Sequence, residues 1–216
     1  MLIRAPGVYR PQADTHLLAR AYSEARLPPH SRVVDVCTGT GVLAIEAARY
    51  ARSVTAVDIS RAALASAWLN CRLHRVDVEL VYGDFRKALR GRTFDVMVSN
   101  PPYVPCPNSG PPRGAARSWD AGPDGRSVID SLCELAPDML SDTGTLLLVQ
   151  SALCGVDTTL ALLCAAGFKA AAVARASIPF GPVLRRRAAW LTDTGRIQPG
   201  QCDEELVIIR ADRTRQ

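Results

Sequence analysis

The chain has 216 residues, 48% of them hydrophobic and 22% charged, a composition that builds a core and excludes a disordered tail. No run approaches the roughly 18 consecutive apolar residues of a membrane-spanning helix, and Met1–Pro6 lacks the apolar stretch of a signal peptide. The net charge of +5 comes from 26 basic residues, only Lys87 and Lys169 being lysine, with a single cluster at Arg185-Arg186-Arg187. It reads first as a solvated basic surface and second as a match for an acidic partner such as a ribosome or tRNA.

Taken in order, the chain alternates strand and helix. Arg32–Val36 is a short β-branched strand, and Gly41–Tyr50 follows with helical spacing at Val42, Ile45 and Ala48. Ser53–Val57 is a second strand. Ser60 caps the next helix, whose apolar positions are Ala63, Leu64, Ala67, Trp68 and Cys71. Val78–Tyr82 and Phe94–Ser99 are the third and fourth strands. Residues 101–123 hold seven of the 15 prolines, too many for a regular element; this is a long functional loop. A helix near 126–140, a strand at Thr145–Gln150, a helix near 156–166, a strand at 168–175 and a last strand from Glu205 complete the pattern. Such alternation implies a mainly parallel sheet with helices on both faces and a single α/β domain, with ligands bound beyond the carboxyl ends of the strands.

Seven cysteines (37, 71, 106, 133, 154, 164 and 202) form no C-x-x-C pair, which argues against a disulfide framework or zinc knuckle and for a reducing cytoplasm. His16, His30 and His74 are isolated, so no metal site is expected. Asp203-Glu204-Glu205 reads as a solvated strand end.

The first strand runs into Asp35-Val36-Cys37-Thr38-Gly39-Thr40-Gly41. Gly39 and Gly41 let the backbone turn tightly and approach a ligand, and Asp58 ends the second strand where a carboxylate accepts hydrogen bonds from a ribose diol. Asp35 inside the turn would repel a pyrophosphate yet could order the loop around a cationic amino-acid tail. Asp84 and Phe85 after the third strand suit an adenine amino group and ring. These acids fit S-adenosylmethionine better than NAD. The fourth strand ends in Asn100-Pro101-Pro102-Tyr103, where two prolines stiffen the chain. The Asn100 amide oxygen and the Pro101 carbonyl can accept both hydrogens of a planar NH2 group, with Tyr103 flat against its plane.

With these motifs the chain resembles the class I S-adenosylmethionine-dependent methyltransferases, and more closely the HemK/PrmC family of release-factor glutamine methyltransferases. Val8-Tyr9-Arg10-Pro11-Gln12-Ala13-Asp14-Thr15 is similar to the Tyr-x-Pro-x-x-Asp-Thr stretch of the family's short, single-domain branch. The resemblance implies that Asp14 and Thr15 contact the cofactor, that residues 1–31 cover it, and that residues 101–125 form a substrate loop. It also implies a Rossmann-like seven-stranded sheet with an antiparallel last strand, and it allows for a small activator subunit. Ala121–Arg126 is similar to the family's Gly-rich turn before its fourth helix. The chain departs from the family in lacking the N-terminal helical domain of longer bacterial relatives, in carrying Cys37 where many members have Gly, and in a longer segment between Phe180 and Cys202.

The expected activity is methyl transfer to a glutamine side-chain amide of a translation protein. The alternative is an adenine N6-methyltransferase acting on RNA or DNA, because Asn-Pro-Pro-Tyr suits both planar amino groups. A non-catalytic scaffold and an NAD oxidoreductase are disfavoured, the first by the intact Asn100 and acids, the second by Asp35.

Overall fold

The computed structural model describes residues 2–214, so the extreme ends of the expected 1–216 domain lie outside the described residues. Its strands are β1 (Arg32–Val36), β2 (Ser53–Asp58), β3 (Glu79–Tyr82), β4 (Phe94–Ser99), β5 (Leu140–Ser151), β6 (Phe168–Pro179) and β7 (Asp203–Arg213). Its helices are α1 (Ala13–Glu24), α2 (Val42–Ala47), α3 (Arg61–His74), the single turn α4 (Phe85–Ala88), α5 (Ser127–Met139), α6 (Val156–Ala165) and α7 (Pro182–Asp193). The strands form one sheet in the order β3-β2-β1-β4-β5-β7-β6. The first five are mutually parallel, and β7 runs antiparallel to both β5 and β6.

The β-branched and leucine-rich runs of the inner strands are buried on both faces, as a parallel sheet sandwiched by helices requires. Val33, Val34, Val96, Val98, Leu146–Leu148 and Leu206–Ile209 are almost wholly inaccessible. β6 lies at the edge, and every second residue from Lys169 to Pro179 is exposed. No helix among the described residues is long and apolar enough to cross a membrane.

Two helices carry no strong signal in the sequence. α1 has few apolar positions, Leu17, Leu18 and Tyr22, and owes its stability to packing on β5, β6 and β7. α7 is arginine-rich but starts on Pro182, whose fixed φ suits a first helical turn. Elsewhere the predicted elements are present with shifted ends. α2 stops at Ala47 rather than Tyr50, and β5 begins at Leu140, ahead of the expected Thr145. The proline loop contains a short 3-10 turn over Gly114–Ser118.

Strand order and register build the site. The crossover direction reverses between β1 and β4, which opens a crevice at their carboxyl ends. Val36 pairs with Val57 on one side and Ser99 on the other, while Asp58 pairs with Tyr82. Cys37, Asp58, Gly83 and Asn100 therefore emerge along one edge. The buried Ser99 hydroxyl donates to the Val36 carbonyl at 2.7 Å and locks the two central strand ends together.

Candidate functional site

The crevice is a cavity of about 430 Å³, within the range of small-molecule sites. Asp14, Thr15, Gly39, Asp58, Asp84, Phe85, Asn100, Pro101, Pro102 and Tyr103 line it; of the predicted site residues, Asp35 and Gly41 do not.

The glycine loop shows why. Gly39 (φ +56°) faces open space, with no atom within 4 Å of where a Cβ would sit. At Gly41 (φ +82°) a Cβ would stand 3.1 Å from that of Ala67, so this glycine lets α3 pack against the turn. Cys37 also adopts a left-handed backbone (φ +62°), the conformation that glycine adopts without strain. Asp35 is sealed beneath the loop: its Oδ2 accepts from the Thr38 hydroxyl at 2.6 Å and the Ala44 N–H at 3.1 Å, while its Oδ1 is buried without a partner. Burial pushes its carboxyl up to about 7. Its position supports the loop from below, rather than offering a carboxylate from the cavity wall.

Asp58 stands at the wall. Its oxygens accept from Gly39 N–H at 2.9 Å and Ser60 N–H at 2.8 Å. A carboxylate has about four lone-pair sites, so the group retains acceptor capacity toward a diol. Burial raises its pKa. Asp84, which the sequence offers to an adenine amino group, already has a partner. Both of its oxygens are engaged by the Arg86 guanidinium, and this pairing holds its pKa below the ordinary value. An adenine amino group there would share the carboxylate with Arg86. Phe85 beside it is buried at the cavity wall.

The N-terminal segment closes the site from the other side. Asp14, 3% exposed, is a hub: Oδ2 accepts from the Tyr9 hydroxyl at 2.8 Å and the Tyr103 hydroxyl at 3.0 Å, and Oδ1 accepts from the Thr15 N–H at 2.6 Å and hydroxyl at 3.2 Å. Burial, reinforced by Asp14, raises the pKa of both phenols, so each remains a donor. Because the Thr15 hydroxyl donates to Asp14, its lone pairs face Asn100, whose Nδ2 donates to it at 3.1 Å. The Asn100 NH2 is thereby committed to Thr15, and among the described residues no donor reaches its Oδ1. The carbonyl end of the amide is left as an acceptor. Tyr103 is 9% exposed, its ring packed in the wall and its hydroxyl engaged by Asp14.

Three features are not evident from the sequence. Tyr9 joins the Asp14 hub. Arg126, only 7% exposed, donates to the Cys154 and Gly155 carbonyls and the Thr159 hydroxyl, and pairs with Asp130; it pins the start of α5 behind the Asn-Pro-Pro-Tyr turn. Gly125 approaches the Tyr103 carbonyl so closely that no Cβ would fit, and the position needs a glycine. Its place in the Ala121–Arg126 stretch is the one signal that could have found it.

The donor set fits S-adenosylmethionine. The wall carries four acids, Asp14, Asp58, Asp84 and Asp120, against two arginines, Arg86 and Arg117; Asp84 is paired with Arg86 and Asp120 with Arg187 behind the wall. Such a wall attracts a cationic ligand and disfavours a pyrophosphate. Asp58, Gly39 and Phe85 are the residues that could hold its nucleoside.

Comparison with known proteins agrees with this geometry. The family model for the methyltransferase small domain matches residues 2–108. A protein of Methanocaldococcus jannaschii, named as a candidate protein N5-glutamine methyltransferase, is 30% identical over 83% of this chain and 90% of its own length. The release factor glutamine methyltransferase of Mycolicibacterium smegmatis is 36% identical over 64% of this chain, which spans about half of that longer protein (52%). Among solved structures, the E. cuniculi Mtq2–Trm112 complex, described as responsible for methylating the termination factor eRF1, contains a chain 25% identical, with a TM-score of 0.68 over 96% of this chain and 99% of that one.

Proposed function

The chain belongs to the HemK/PrmC family of S-adenosylmethionine-dependent methyltransferases, and we propose that it methylates the side-chain amide of a glutamine in a translation release factor. The observation that carries the reading is the Asp14–Thr15–Asn100 chain of hydrogen bonds, which presents a carbonyl acceptor next to the stiff Pro101-Pro102 backbone.

S-adenosylmethionine supplies an electrophilic methyl group. A glutamine amide is neutral near pH 7 and its nitrogen lone pair is delocalised, so little is gained from a base acting beforehand. The work of this chain is to position the nitrogen. Asn100 Oδ1 and the Pro101 carbonyl accept the two amide hydrogens. Both bonds strengthen as positive charge develops on nitrogen, and that is where catalysis gains. Tyr103 and Pro102 wall the acceptor plane. The proton released after transfer leaves to solvent through the open mouth of the cavity.

In this reading residues 1–216 act as one unit, residues 1–31 cover the cofactor, and residues 101–125 receive the acceptor. The reading includes a small activator subunit, because the chain of similar fold in the E. cuniculi complex is joined to Trm112. The cytoplasm is where such a substrate is met. The test is incubation with labelled S-adenosylmethionine and a purified release factor, ribosomal proteins or RNA, with and without a Trm112-type partner. One added methyl on a glutamine amide is expected by mass spectrometry. Label in N6-methyladenine would replace this reading with the nucleic-acid alternative.

A further inference from the structure

α7 connects β6 to β7 and contributes no residue to the cavity wall. Its Leu184 and Leu191 pack with Phe180 and Ile197 in a second apolar cluster that takes in Val104 of the acceptor loop. The loop itself is a narrow ribbon. Val104 N–H donates to the Trp119 carbonyl at 2.7 Å, Ala121 N–H to the Val104 carbonyl at 3.1 Å, and Cys106 N–H to the Gly122 carbonyl at 2.9 Å. One arm follows Asn100-Pro101-Pro102-Tyr103, and the other carries Trp119 and Asp120 to the cavity wall.

Arg187 closes this ribbon from outside. Its Nη1 donates to the Pro105 carbonyl at 2.9 Å on one arm and stands 2.6 Å from Asp120 Oδ1 on the other. The Asp120 side chain is 12% exposed and that of Arg187 21%, so the pair is shielded from the screening that weakens surface ion pairs. Arg185 and Arg186, its neighbours in the basic cluster, are exposed. The three arginines therefore serve different ends, and only Arg187 turns inward.

We propose that Arg187 is a positioning residue for the methyl acceptor: it clamps the two arms of the 101–125 loop so that Pro101–Tyr103 and Trp119–Asp120 form one rigid wall. The acceptor measurements rest on the glutamine reading; the loop measurement does not. Arg187→Gln and Arg187→Lys are compared with wild type in three assays: cofactor affinity by calorimetry, the rate of tryptic cleavage at Arg113 and Arg117 near the loop apex, and acceptor KM and kcat. Without the half-buried ion pair to Asp120, Arg187→Gln should show an acceptor KM raised by about tenfold or more, with kcat changing less and cofactor affinity held within about twofold. Cleavage in the loop should accelerate by a similar factor. Arg187→Lys, which keeps a positive charge beside Asp120, should recover most of both effects. The proposal is overturned by an unchanged cleavage rate, by cofactor affinity falling in step with acceptor KM, or by a lysine variant no better than glutamine. If wild type methylates no glutamine acceptor, the function reading fails, and the cleavage rates alone then support or refute the clamp.

Discussion

Replacing Thr15 by valine keeps the β-branched shape at the start of α1 and deletes the hydroxyl between Asp14 and Asn100. Two hydrogen bonds disappear, Asn100 Nδ2 to Thr15 Oγ1 at 3.1 Å and Thr15 Oγ1 to Asp14 Oδ1 at 3.2 Å. Asp14 keeps its bonds from the Thr15 N–H and from Tyr9 and Tyr103, so the hub survives and the loss falls on the orientation of Asn100. A neutral hydrogen bond contributes about 0.5–1.5 kcal/mol, equivalent to roughly two- to twelvefold in the preference for the acceptor-out amide. Turnover of Thr15→Val at saturating cofactor should fall within that range. Asn100→Ala, which removes the acceptor itself, should lose on the order of 10²–10³ in turnover. In the double variant, Thr15→Val should add nothing to the loss, because Thr15 acts only through an amide that is no longer there. Thr15→Ser should restore the wild-type rate. The assay is single-turnover methyl transfer on a confirmed acceptor, with cofactor affinity measured separately. Additive losses in the double variant, or unchanged turnover in Thr15→Val, would refute the orienting role.

Asp58→Ala should weaken S-adenosylmethionine binding by about 1.5–3 kcal/mol, the range for hydrogen bonds to a charged group; unchanged affinity by calorimetry would remove Asp58 from the site. Gly41→Ala should lower the melting temperature more than Gly39→Ala, since both take an alanine to positive φ but only Gly41 also meets Ala67. Gly39→Ala should act mainly on cofactor affinity, and the reverse ranking would contradict the packing. The Asp35 carboxyl is raised to about 7 in the folded chain by burial, whereas the unfolded chain releases this proton at about pH 4. The contribution of Asp35 to stability should therefore fall as pH rises between these values and level off above them. Asp35→Asn should lose that part of the slope in denaturation curves taken from about pH 4 to 8, and identical slopes would contradict a neutral Asp35.

Local chemistry made much of this protein legible in its sequence. β-branched runs bounded by Gly, Asp and Asn mark β1, β2 and β4, because a buried parallel strand must be apolar throughout and its ligand-facing residues must follow its last pair. The glycine loop, Asp58, Asp84 and Asn100–Tyr103 belong at strand ends for that reason, and the sheet brings them to one crevice. What each side chain does there was decided in three dimensions. Asp84 is captured by Arg86 two residues on, a choice of side-chain rotamer that no spacing reveals. Asp35 sits a turn below the cavity because α2 rises from its own loop and holds that carboxylate through the Ala44 N–H. The hydrogen bonds that orient Asn100 and hold Tyr103 span 85 and 89 residues. The Arg187 clamp reaches back 82 residues to Pro105, and α7 can make it only because β7 returns antiparallel beside β5. Bonds of that kind leave no period in the sequence. They exist because α1 and α7, both weak helices in isolation, are held where the assembled sheet and loop give their polar side chains partners.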